Sequence, residues 1–181
     1  MPLAKQISME WQRREILCAW IAWQTEVGSS EKGIETMRRV VDRKADLHLD
    51  QMIKDWPISA NSDPITVCRV VADYLTASGY AEYQIGKISD KIMYRDWKNC
   101  VEMPMIPWAL REMGLKVTPN PSTSLFHAAL RRFCKIDAKI VRGADVPTEA
   151  LAQIPKGWTK PGEWHEDEWG REYWILSPLK K

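Results

Sequence analysis

The fold is decided by DPITVCRVVADYLTASG, residues 63–79, and by the stretch that follows it, YAEYQIGKISDKIMYRDWKNC, residues 80–100. The hydrophobic period changes at Gly79. Before it, Val67, Val70, Val71, Tyr74 and Leu75 recur at helical spacing. Asp63 is a good N-cap, Pro64 takes the first helical position, where its missing N–H costs nothing, and Gly79 closes the helix. After it, Ala81 to Ile85 alternates, Gly86 to Asp90 reads as a turn, and Lys91 to Lys98 alternates again. Ile92, Tyr94 and Asp96 then share one face, and Met93, Arg95 and Trp97 share the other. This pattern predicts a helix followed by an antiparallel hairpin.

Upstream, the patterns are helical. Residues 8–27 read as an amphipathic helix with Ile16, Leu17, Trp20, Ile21 and Val27 on its stripe, stopped by Gly28. A second helix is predicted from about Ser30 to Ala45, with Ile34, Met37, Val40 and Val41 inward. A further short one runs from Leu47 to Trp56, before Pro57. Downstream, Pro104 to Gly114 reads as a short helix, Ser122 caps a helix through Cys134, and Ile136 to Val141 alternates as a third strand. Pro147 to Gln153 reads as a short helix and Arg171 to Ser177 as a last strand. The order predicts one α+β domain over 1–181: a helical N-terminal part (1–60), then a small antiparallel sheet covered by helices (63–178).

Composition narrows the function classes. The 181 residues carry a net charge of only +2, which argues against a dedicated nucleic-acid binder. The basic pairs Arg13-Arg14, Arg38-Arg39 and Arg131-Arg132 each interrupt an apolar helical pattern and read as solvated faces. No apolar run approaches the ~18 residues of a membrane span, and the first residues lack the apolar core of an export signal. A cytoplasmic location is therefore expected, with Cys18, Cys68, Cys100 and Cys134 as reduced thiols.

Ten tryptophans against two phenylalanines is the strongest compositional bias. Indole offers a large plane with one N–H that needs a partner when buried, and such planes line ligand sites and interfaces. Trp158, Trp164, Trp169 and Trp174 lie among Glu163, His165, Glu166, Asp167 and Glu168. These acidic residues are adjacent in sequence, and adjacent side chains rarely converge on one ion, so a solvated acidic turn is expected over a metal site. No second histidine follows His165 at zincin spacing, and no metal site is expected. Nor does any motif name a cofactor: P-loop, dinucleotide fingerprint, serine nucleophile elbow and CxxC are all missing from the sequence.

Two sets of residues carry chemistry. His127, Arg131 and Cys134 recur at i, i+4 and i+7, on one side of their helix, opposite the apolar stripe Phe126, Ala129, Leu130 and Phe133. Cys100 follows the second strand of the hairpin, where a strand end can open into a cleft that Tyr83, Asp90, Tyr94 and Asp96 would serve. Against this, a free cysteine is among the most buried residue types, and exposed histidines and arginines on helices are common.

From Asp63 onward the layout resembles two groups of small α+β domains, the L-2-amino-thiazoline-4-carboxylic acid hydrolases and the 4-vinyl reductase-type hydrocarbon-binding domains. The resemblance rests on Asp63-Pro64, Gly79, the strand pair, Asn99-Cys100, and Gly170 before Tyr173-Trp174-Ile175-Leu176. Such domains often carry a cysteine in the last hairpin, where this chain has Tyr173 and Trp174. The resemblance implies a small-molecule pocket between helices and sheet, and ring-opening hydrolysis of a small heterocyclic acid.

Two function classes follow. In the first, the chain binds, and as a hydrolase cleaves, a small heterocyclic or carboxylate ligand. Cys100 and His127 are then the catalytic candidates, and Tyr83, Tyr94, Trp97, Trp108 and Arg131 the ligand contacts. In the second, it is a non-catalytic assembly subunit, a homo-oligomer or the partner of another protein, that docks through Trp158, Trp164, Trp169 and Trp174. Neither class needs nucleic acid or a membrane.

Overall fold

A computed structural model describes residues 31–100, 121–141, 145–151, 153 and 170–179. The expected helices over 8–27 and 104–114 lie outside the described residues. The architecture is α+β: helices pack on a four-stranded antiparallel sheet. The chain divides into two compact units. The sheet and its helices belong to Asp42–Pro104 with Asn120–Lys181. Of the other, Met1–Val41 with Met105–Pro119, the described residues are the first turns of one helix, 31–41.

That helix, α1 (Glu31–Asp55), is continuous, where two helices were expected. The reason is visible in the sequence: no Gly or Pro separates Ala45 from Leu47. The buried positions Val41, Ala45, Leu49 and Met52 keep helical spacing straight through the expected break. Val40, expected inward, is 43% exposed.

Helix α2 (Pro64–Ala77) forms as its signals require. The Asp63 carboxylate accepts from the N–H groups of Ile65 and Thr66, at 3.0 and 3.2 Å, and Pro64 opens the first turn. Those hydrogen bonds, led by the one from the Thr66 hydroxyl, hold the Asp63 carboxyl below its ordinary pKa. Gly79 turns the chain out of the helix at φ 70°. Val67, Cys68, Val71, Ala72 and Leu75 are buried.

Strands β1 (Glu82–Ser89) and β2 (Ile92–Lys98) form the expected hairpin, but β1 continues through Gly86, which was expected in a turn. Gly86 lies opposite Tyr94, and a Cβ there would come within 2.1 Å of Cζ and 2.2 Å of the hydroxyl oxygen of Tyr94. The glycine is thus a seat for an aromatic side chain, not a bend. Helix α3 (Pro121–Ala129) passes into a π turn, Leu130–Cys134, closed by Lys135 in the left-handed region at φ 59°. The third strand, β3 (Ile136–Val141), has the expected bounds. A short helix, α4 (Thr148–Leu151), precedes β4 (Gly170–Pro178).

The strand order is β1-β2-β4-β3. One face of the sheet carries Ile85, Met93, Ala138, Trp174 and Leu176 and is covered by Ala45, Leu49 and Met52 of α1, the α2 stripe, and Leu125, Phe126, Ala129 and Leu130. The other carries Ile92, Val141 and Tyr173 beneath Val146 and Ala150. The central strands are therefore buried on both sides, and Arg171, Glu172, Tyr173 and Trp174 are four consecutive buried residues. Burying apolar area this way stabilises at about 25 cal/mol per Å².

Candidate functional site

The residues that stand out are charges at the centre of the sheet. Arg95 on β2 pairs in register with Glu172 on β4, and its neighbour Asp96 pairs with Arg171. Successive residues of a strand point to opposite faces. One ion pair therefore lies under the helices and the other lies on the α4 side, with the signs exchanged between the strands.

Under the helices, the Arg95 guanidinium is 1% exposed and Glu172 3%. Arg95 Nη2 lies 3.2 Å from Glu172 Oε1, and Nη1 donates to the Ser122 hydroxyl at 3.1 Å. The same carboxylate oxygen accepts from Trp174 Nε1 at 2.6 Å and from the Thr123 hydroxyl at 3.4 Å. Four rings surround the guanidinium, with centroids 5.6 Å (Tyr83), 5.2 Å (Trp97), 5.4 Å (Phe126) and 5.6 Å (Trp174) from its central carbon. Burial pulls against the charge on Arg95. Glu172, with Tyr83, Cys100 and Tyr80, nonetheless holds its pKa above the ordinary value, so it stays a cation. Its Nε is buried and has no hydrogen-bond partner.

Helix α3 supplies the roof. Ser122 and Thr123, in its first turn, reach the ion pair, Phe126 packs among the rings, and His127 stands edge-on to Trp174 with centroids 5.5 Å apart. Ser122, expected as the cap of this helix, lies inside it and turns its hydroxyl to Arg95. His127 Nε2 is buried without a hydrogen-bond partner. Burial foremost, and then the cations Arg131 and Arg95, push its pKa down to about 4, against the opposing pull of Glu172 and Asp137. It is neutral at pH 7. Cys100 is buried with Trp97 and Ala81, in a small cluster against which Tyr80 and Tyr83 pack.

The structure brings some of the expected site residues together and separates others. Tyr83, Trp97, Cys100 and His127 surround Arg95 or touch its rings. Tyr94 is on the other face, where the Arg171 guanidinium stacks 3.9 Å from its centroid. Asp96 is there too, bound by Arg171 Nε and Nη2 at 2.6 and 2.8 Å. Arg131, Cys134 and His127 do not share one site. Arg131 reaches Asp42 on α1 at 3.1 Å, while Cys134 donates to the Ser62 carbonyl at 3.4 Å. Arg132 reaches Asp50 at 2.6 Å, so the part-exposed Arg131-Arg132 pair, read as a solvated face, makes surface ion pairs with α1. Trp174 is fully buried, so it cannot form part of a docking surface. Trp108, Trp158, Trp164 and Trp169 lie outside the described residues.

Arg95, Glu172, Ser122 and Thr123 were missed by sequence reasoning. The available signal was a charged residue between Met93 and Trp97 on one face of an alternating strand. Among the described residues, no group of three metal-ligating side chains gathers, and no helix is long and apolar enough to cross a membrane. Comparison with protein-family models, curated proteins and solved structures finds no match.

Proposed function

We propose that the protein binds a small organic molecule, a heterocycle or a carboxylate, on the helix-covered side of the sheet beside Arg95. One observation carries this reading: a buried, charged guanidinium, caged by four aromatic rings, keeps an N–H uncommitted. A buried donor left unmade costs about 1–3 kcal/mol, so a ligand that accepts from it recovers that cost on binding. Tyr83 and Trp97 supply planes for a flat guest, and Cys100 and His127 supply its polar neighbours. The resemblance from Asp63 onward points to the same kind of pocket.

Binding is favoured over hydrolysis. A histidine with a pKa of about 4 is a poor proton acceptor at neutral pH. The alternative of a docking subunit loses one of its four indoles, because Trp174 is interior.

The experiment is intrinsic tryptophan fluorescence of the full chain across a library of small carboxylates, amides and heterocycles. Trp97 and Trp174 beside Arg95 are the reporters. At least one compound should give a saturable change, weakened roughly tenfold or more in Arg95→Lys, which keeps the charge but loses the planar fork. Trp97→Phe should remove much of the signal while leaving the affinity measurable by calorimetry. A flat response to the entire library ends the proposal.

A further inference from the structure

We infer that Ser122 is a positioning residue of this site: its hydroxyl fixes the plane of the Arg95 guanidinium and so the direction of Nε–H. For its bearing on a ligand this rests on the binding reading above, while the orientation itself stands apart from it. A guanidinium is planar and rigid, so a hold on two of its nitrogens aims the third. Arg95 meets Glu172 at Nη2 and Ser122 at Nη1, 3.2 and 3.1 Å away, and Nε is the nitrogen left without a hydrogen bond.

Two of the three kinds of contact around Arg95 do little to set that plane. The four rings attract the charge without orienting it. Their centroids lie between 5.2 and 5.6 Å from the central carbon, too far for the stacking that Arg171 makes on Tyr94 at 3.9 Å. Glu172 is a single point of attachment. One carboxylate oxygen, Oε1, meets Nη2, and the same oxygen takes Trp174 Nε1 at 2.6 Å. Coulomb attraction depends on distance and not on the tilt of the plane, so the guanidinium is free to turn about that point.

Ser122 supplies the second point. Its hydroxyl accepts from Nη1, and a hydrogen bond weakens steeply once its angle is lost. Ser122 is buried, so bulk water does not compete for the bond. Its oxygen is one bond from Cβ, and Ser122 is the second residue of α3 (Pro121–Ala129), so the helix backbone places the acceptor with little slack. Leu125, Phe126 and Ala129 of the same helix are packed into the core. The aim of Arg95 therefore follows from where α3 docks on the sheet.

The test is proton–nitrogen correlation NMR of the arginine side chains in the full chain, the Arg95 signals being those absent from Arg95→Lys. Where both terminal nitrogens are held, rotation about the Cζ–N bonds is slow and Nη1 and Nη2 give separate signals. The unmodified chain should show them resolved. Ser122→Ala should merge or broaden them, and Ser122→Thr, which keeps the hydroxyl, should restore the separation. Thr123→Ala removes the neighbouring buried hydroxyl, 3.4 Å from Glu172, and should leave them resolved, which separates positioning from a general loosening of α3. Merged signals in the unmodified chain, resolved signals in folded Ser122→Ala, or equal merging in Ser122→Ala and Thr123→Ala overturn the inference. Should Ser122→Ala not fold, Ser122→Cys, with a weakly accepting sulfur, takes its place. Any compound of the fluorescence library that saturates should bind Ser122→Ala roughly fivefold or more weakly, and an unchanged affinity overturns the positioning role. Silence from the whole library removes the binding reading alone, and the NMR comparison still decides the orientation.

Discussion

His127 shows how much one residue's surroundings matter. On the sequence it is a helical histidine four residues before an arginine. In the fold its ring meets Trp174, and its pKa falls from 6.5 to about 4, chiefly through burial. The sign follows directly. Above pH 6.5 both the folded and unfolded states hold it neutral. Between pH 6.5 and about 4 only the unfolded state takes up the proton, so stability is lost as pH falls through that window, and the loss levels off below it. The full difference corresponds to about 3 kcal/mol. His127→Gln should therefore show a shallower decline over this range in urea denaturation followed by circular dichroism. His48 is also held below its ordinary value, by burial and then by Lys44, so some slope will remain in the variant. Parallel profiles for the two proteins would show that His127 titrates normally. The same contrast explains why Arg95 escaped notice. A charged letter in a strand looks the same whether it meets water or Glu172, and only its neighbours Met93 and Trp97 hinted at burial.

At the scale of elements, what was legible depended on whether the signal was local. Helix α2 has its cap, its proline, its stripe and its closing glycine within seventeen residues, and it forms as read. Strand β3 is bounded by its own alternation. Gly86 was misread because what fixes it, the Tyr94 ring, comes from the partner strand. The π turn at Leu130–Cys134 also had no local mark. It turns the adjacent Arg131 and Arg132 together towards Asp42 and Asp50 on α1, more than eighty residues earlier in the chain. Its exit is a non-glycine residue, Lys135, in the left-handed region, with its N–H bonded to the Leu130 carbonyl. L residues with a Cβ pay about 1 kcal/mol or more to sit there. Lys135→Gly should raise the unfolding free energy by roughly 0.5–1 kcal/mol, reduced by glycine's greater freedom in the unfolded chain. Equilibrium denaturation would measure it, and a loss of stability would show that the Lys135 ammonium, which donates to the Arg132 carbonyl at 3.0 Å, matters more than the backbone angle.

Across the molecule, the α+β class could be read from the order of periods, but the site could not. Alternation told which residues share a face of β2. It did not tell which strand would lie beside it, since β4 arrives from the far end of the chain. That is why the two ion pairs went unseen; the grouping of Tyr94 with Trp97 ran against the alternation itself, which already set them on opposite faces of β2. The pairs also set a stability expectation. Removing one partner of a buried pair strands the other and costs about 3–5 kcal/mol, whereas replacing both with apolar side chains costs much less. Arg95→Met alone should therefore destabilise more than Arg95→Met with Glu172→Leu in the same chain, by urea denaturation. Equal or greater loss in the double variant would mean that the pair itself, and not the stranded charge, carries the energy.

The exchange of signs between the two faces bears on how faithfully the chain assembles. Suppose β4 docks on β2 one step out of place. Shifted one way, Arg95 confronts Arg171; shifted the other way, Asp96 confronts Glu172. Either mistake sets two like charges against each other in the interior. Two hydrophobic residues in their place on each strand would tolerate such a slip far better. The alternating charges therefore work as a two-way proofreading code, in which only the correct alignment is electrically quiet.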